Sequence, residues 1–171
     1  MSERLTLTQR IARLVFFKPL HHEAKAPSRK TSGSAGIDLY ALQETTVPAH
    51  GRTLTRTGVR VDLPANHYGQ LFPTSSLSLK TGLQVGAGVI DQDYTGEVLV
   101  LLLNNTPDEV IIAKHAKIAQ MVVLQFNSTA PVFLAGYIQC PNVLNPRTSS
   151  FSSRANAGFG VDNTAQLFQT E

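Results

Sequence analysis

At 171 residues with 42% hydrophobic content, the chain is the size of one domain and carries enough apolar sequence for its own core. Its net charge of +3 comes from Lys and Arg scattered along the chain, so no nucleic-acid surface is indicated. The single Cys140 excludes an internal disulfide and a cysteine metal cluster.

In chain order, residues 1–13 read as an N-terminal extension. Leu5, Leu7, Ile11 and Leu14 fall at imperfect helical spacing, which leaves a frayed helix, a strand or a partner contact open. The run Leu14 to Phe17 is too short to span a membrane, and Arg10 and Arg13 interrupt any signal-peptide core. An intracellular protein without a membrane partner is expected. His21 and His22 are adjacent, and in an extended chain they point apart, which argues against a metal pair. The sequons at Asn104 and Asn127 are then expected to be idle.

Residues 14–140 carry strand signals. Val59 to Leu63 alternates apolar and polar residues, and Val98 to Leu103, Val110 to Ala113 and Met121 to Phe126 are short, branched and apolar. Turn residues separate them at Pro48 to Gly51, Pro64 to Asn66, Asn104 to Pro107 and Asn127 to Pro131. The spacing predicts an all-β sandwich or jelly roll. Ser75 to Lys80 follows a proline, has little strand character and is expected to form one helical turn or more, with Ser75 or Ser76 near its start.

The segment Gly86 to Val98 packs a bare backbone, two carboxylates and an aromatic ring into one predicted β-hairpin. Its glycines let main-chain groups approach a planar ligand edge-on, and Val89-Ile90 can anchor the arm in a core. Asp91 and Asp93 can serve a cation or an activated water, although taken alone they are ordinary turn formers. Residues 141–171 change character: Pro141 to Arg154 is rich in Pro, Asn and Ser, which reads as an arm ending in a glycine-rich motif.

Five segments together resemble the homotrimeric dUTPase family. They are Ala35-Gly36-Ile37-Asp38-Leu39, Pro73-Thr74-Ser75-Ser76-Leu77-Ser78, the Gly86 to Val98 segment, Lys117-Ile118-Ala119-Gln120-Met121 and Arg154 to Gly160. Each is weak alone; five in order over about 125 residues are not. The resemblance implies a distorted jelly roll with one short helix, and Mg²⁺-dependent hydrolysis of dUTP to dUMP and pyrophosphate. It makes Asp91 the general base that activates water against the α-phosphorus. Tyr94 would lie under the deoxyribose, and the backbone of Val85, Gly86, Gly88 and Val89 would read uracil. Ser75, Ser76 and Gln120 would bind phosphates, with Asp38 reaching Mg²⁺ through water. Arg154 would pair with phosphates and Phe159 would stack on uracil as the arm closes.

The resemblance also implies a homotrimer whose sites are shared: the first, second and fourth motifs come from one subunit, the third from another and the tail from the last. Asp93 is read as capping the turn before Tyr94. Ser75, Gln120 and Asp38 each keep a purely structural alternative, as a cap, a strand partner and a strand terminus.

Three departures stand out. Thr74 occupies the place of a usual Arg, Val161-Asp162 follow Gly160 where hydroxyls usually grip the γ-phosphate, and His115-Ala116 replaces a usual Gly-Asp turn. The first two leave open a dUTPase-like binding or regulatory protein with reduced turnover, while His115-Ala116 reads as a tolerated loop change. The related dCTP deaminases fit less well, since no cytosine-specific acid/base constellation is visible.

Overall fold

The computed structural model describes residue 6 and residues 14–129. Among the described residues, eleven strands and one helix follow in the order β1 (Phe16–Pro19), β2 (Ile37–Tyr40), β3 (Thr45–Val47), β4 (Arg52–Arg56), β5 (Val59–Asp62), β6 (His67–Phe72), α1 (Ser75–Thr81), β7 (Gln84–Gly86), β8 (Val89–Ile90), β9 (Leu99–Leu103), β10 (Val110–Ile112) and β11 (Lys117–Gln125). Every pairing is antiparallel. A four-stranded sheet runs β2-β11-β6-β8, a three-stranded sheet runs β4-β9-β7, and two ribbons pair β1 with β5 and β10 with β3.

Alternation explains how these layers meet. In β9, Val100 and Leu102 are fully buried while Leu99, Leu101 and Leu103 are half-buried, the period-two signature of a strand with one face inward. Val59 and Val61 do the same in β5. The inward residues of both sheets and of the ribbons join one cluster, including Leu39, Val47, Val61, Leu71, Ile112, Ile118 and Met121. This is the expected all-β jelly-roll architecture.

The predicted strands at Val59, Val98 and Val110 lie within a residue or two of the observed ones. The last differs more: Lys117 to Gln125 is a single nine-residue strand, so the fourth motif is part of a sheet and not its approach. The expected turns at Pro48 to Gly51, Pro64 to Asn66 and Asn104 to Pro107 are present, with His50 and Asn66 in the left-handed region at φ 49° and 60°; the one at Asn127 to Pro131 runs past the described residues.

Two expectations are corrected. The Gly86 to Val98 segment is not a simple hairpin, because β7 pairs with β9 while β8 pairs with β6 in the other sheet. Ala87 and Gly88, at φ 55° and 109°, turn the chain from one sheet to the other. His21 and His22 do not point apart. Their segment is a turn closed by the Ala24 N–H on the His21 carbonyl at 3.0 Å, and the rings stack with centroids 4.5 Å apart.

The Asn104 sequon is closed for a structural reason. Asn104 is buried, and its side-chain amide donates to the carbonyls of Val47 and Asp108 while its oxygen accepts from Thr106. Among the described residues no helix is long and apolar enough to cross a membrane.

Candidate active site

The sheet order brings three of the five motifs together. β11 lies between β2 and β6, and its register sets Gln120 opposite Asp38 on one side and Phe72 on the other. Directly after Phe72 the chain leaves β6 through Pro73 and enters α1. A polar cavity of about 210 Å³ forms there, lined by Lys30, Ser34, Gly36, Asp38, Thr74, Ser75, Ser76, Lys117 and Gln120.

Each side chain has a local cause for its place. Gln120 donates through Nε2 to the Pro73 carbonyl at 3.0 Å, which ties β11 to the turn before α1. Gly36 makes room for it: a Cβ at position 36 would lie 2.2 Å from Gln120 Oε1. Asp38 pairs with Lys117 at 3.2 Å. Thr74, and neither serine, is the N-cap of α1; its backbone is extended, and its hydroxyl accepts from the Leu77 N–H at 3.4 Å. Ser75 and Ser76 are therefore the first two helical residues, exposed toward solvent with their hydroxyls free of the capping task. The reading of Ser75 as the cap is thus corrected.

The third motif faces a separate hollow of about 310 Å³, lined by Tyr68, Gln70, Val89, Asp91 and Phe126. The two hollows share no lining residue. Ile90 alone anchors the arm in the core; Val89 is 59% exposed, which corrects the expectation that both would be inside. β7 places Val85 opposite Leu102 and Gly86 opposite Leu101. The Gly88 carbonyl accepts from the Leu71 N–H at 2.8 Å, and a side chain at position 88 would press on Leu71 in a backbone region that strongly favours glycine.

Tyr94 packs half-buried against the core and donates its hydroxyl to the Glu97 carbonyl at 2.7 Å. Burial, and secondarily the Glu97 carboxylate, push its phenol above the usual range. The turn before it is closed by the Tyr94 N–H on the Asp91 carbonyl at 3.1 Å, so the cap assigned to the Asp93 side chain is a backbone bond.

Arg154, Phe159, Val161, Asp162, Cys140, the arm and all of the N-terminal extension except Thr6 lie outside the described residues. Sequence reasoning missed Lys30 and Ser34, which line the polar cavity, and Tyr68, Gln70 and Phe126, which line the hollow beside Asp91. Their sequence signal was slight: two aromatic residues that only the β6–β11 pairing brings to the same end of the ladder, and a Ser/Lys-rich loop before the first motif.

The donors fit Mg²⁺ in one specific manner. Among the described residues no group of three or more His, Cys, Asp or Glu is gathered to hold an ion. The cavity instead offers the Asp38 carboxylate with hydroxyl and amide oxygens. Such a hard-oxygen wall suits an ion that keeps most of its waters and takes further ligands from phosphate.

The comparisons agree with this geometry. The dUTPase family model matches residues 22–137. A deoxyuridine 5'-triphosphate nucleotidohydrolase of Saccharomyces cerevisiae is 34% identical over 137 residues, 80% of this chain and 86% of the yeast protein. One from Paramecium bursaria Chlorella virus 1 is 36% identical over 143 residues, 84% of this chain and 93% of the viral protein. In fold the chain is similar to a dUTPase from phage phi11 of S. aureus, described with a structural Mg(II) ion, at TM-score 0.66 and 20% identity over 72% of this chain and 98% of that one. A family match over two thirds of the sequence, with three motifs folded into one polar cavity, leads to one conclusion: the chain belongs to the dUTPase family.

Proposed function

We propose that this protein hydrolyses dUTP to dUMP and pyrophosphate inside the cell, by attack of water on the α-phosphorus. The observation that carries the reading is the convergence of the first, second and fourth motifs on one polar cavity, in a chain of this family. Ser75, Ser76 and Gln120 bind the phosphates. Asp38 would hold Mg²⁺ through water, and the ion would offset phosphate charge.

Asp91 accepts the proton of the attacking water. Tyr94 is held from behind by its bond to Glu97, leaving the ring as a fixed wall for the deoxyribose. The Val85 to Val89 backbone reads the uracil edge; a base with mismatched donors leaves buried polar groups unpaired, so cytosine is rejected more strongly than thymine. Arg154 pairs with the phosphates and Phe159 stacks on the base.

The site is shared among three subunits. Separation of Asp91 from the polar cavity supports this, since the base and the phosphate donors occupy different hollows of one chain. The test is pyrophosphate release from dUTP with Mg²⁺, with dCTP and dTTP as comparators. Release from dUTP alone is expected; its absence overturns the enzymatic reading.

A second reading, a dUTPase-like binding or regulatory protein, gains support from Thr74. The residue is 5% exposed and its hydroxyl is spent on capping α1, so it contributes no charge where a cation usually stands. Tight dUTP binding without pyrophosphate release would select this reading.

A further inference from the structure

We propose that Lys30 is a phosphate-binding residue of the polar cavity and that Arg29 is its positioning residue, an inference that rests on the cavity being the polyphosphate site. Lysine 30 and Lys117 are the cations lining it, and Asp38 is its acid. Asp38 and Lys117 are already paired at 3.2 Å, so their charges largely cancel. Lys30 is exposed and takes part in none of the ion pairs among the described residues. The cavity is therefore left with one net positive charge, and Lys30 carries it. With Thr74 neutral and buried as a cap, the second motif adds no cation. A multiply charged phosphate chain entering this space meets Lys30 as its uncommitted ammonium.

The loop that carries Lys30 is built to hold its place. Arg29 folds back along its own loop and donates through Nη1 to the carbonyls of Ser34 at 2.5 Å and Ala35 at 2.7 Å. The Ser34 N–H donates to the Thr31 carbonyl at 3.1 Å, and the two hydroxyls lie 2.9 Å apart. Both ends of the segment are thereby tied, one residue before Gly36 enters the cavity wall. Adjacent cations thus have different work: the guanidinium closes the loop, and the ammonium reaches the ligand. An ammonium suits this second task because it acts as a compact point charge on a flexible stem.

The experiment is calorimetric titration of the full-length protein with inorganic tripolyphosphate in Mg²⁺ buffer, comparing wild type, Lys30→Gln and Lys30→Arg, with deoxyuridine as the phosphate-free control. Lys30→Gln is expected to weaken tripolyphosphate about 3- to 10-fold, with a shallower salt dependence and unchanged deoxyuridine affinity. Lys30→Arg should retain wild-type affinity within about twofold, because charge is kept. In turnover of dUTP, KM should rise by the same factor with kcat held, the mark of uniform binding lost. For Arg29, the double variant Arg29→Gln with Lys30→Gln should bind tripolyphosphate no worse than Lys30→Gln alone.

Wild-type affinity in Lys30→Gln, equal loss of deoxyuridine, or absence of tripolyphosphate binding to the wild type overturns the Lys30 assignment. Additive losses in the double variant overturn the role of Arg29. If the wild type releases no pyrophosphate from dUTP while Lys30→Gln still loses tripolyphosphate, the activity reading fails and the phosphate site stands.

Discussion

Asp91 and Asp93 sit two residues apart yet face different environments. Asp91 lines the hollow with Tyr68, Gln70, Val89 and Phe126, whereas Asp93 does not line it, and the turn they share is closed by backbone atoms. Asp91→Asn is therefore expected to keep nucleotide affinity and lower kcat by on the order of 10² or more, while Asp93→Asn stays close to wild type. Parallel steady-state kinetics and melting curves check this; equal loss with unfolding in both would make them turn residues only. Thr55 offers a separate test of packing. Its hydroxyl is buried without a hydrogen-bond partner, in a strand whose neighbour at this register is Val100. Thr55→Val removes an orphaned polar group at almost constant shape, so stability in a denaturant titration should rise by about 1 kcal/mol. A loss there would mean that the hydroxyl has a use in the native assembly.

Among the elements, α1 has only seven residues, so its ends matter more than its interior. Thr74 caps one end, and Gly82, at φ 71°, closes the other by donating its N–H to Ser78 at 2.9 Å. Restoring a cation by Thr74→Arg costs the cap: a destabilisation of about 1 kcal/mol is expected, with Thr74→Ser near neutral. Thermal melts of both variants decide it.

The β1–β5 ribbon carries a pH dependence of known sign. Lys18, hydrogen-bonded to Asp62 at 2.5 Å, is the main cause holding that carboxyl below its usual value of 3.8; partial burial opposes it and Arg60 assists. A depressed carboxyl contributes stability above the unfolded pKa, and the contribution is lost as pH falls through the folded one. Both partners are well exposed, so the effect is small, below about 1 kcal/mol. Asp62→Asn should flatten the acid limb of the stability curve below about pH 4 and leave the neutral region almost unchanged.

For the whole molecule, the two hollows set the assembly question. Asp91 lines one, and Ser75, Ser76 and Gln120 line the other; on the proposed reading, a complete site would need another chain to bring its own Asp91 hollow to this polar cavity. Light scattering at assay concentration is expected to give three times the chain mass. An active monomer would overturn both the shared site and the division of motifs among subunits.

The sequence alone was enough to determine the family, the all-β class and the identity of the first, second and fourth motifs, because each depends on local residue type and order. The alternation in Val59 to Leu63 and the branched run at Val98 report burial directly, since side chains in a strand point to opposite faces. The helix at Ser75 was legible from the loss of strand pattern after a proline. What the sequence left ambiguous was decided by pairing between distant segments. Asp38, Thr74 and Gln120 meet only because β11 lies between β2 and β6, an order that no local pattern encodes. The same holds for Gly36, whose missing Cβ makes room for a glutamine eighty-four positions away. Thr74 caps the helix through a local contact with Leu77, whereas only the tertiary structure placed Lys30 at the cavity, through a loop closed by Arg29. A charge's partner is a matter of three-dimensional distance, and distance between remote residues is what the fold supplies.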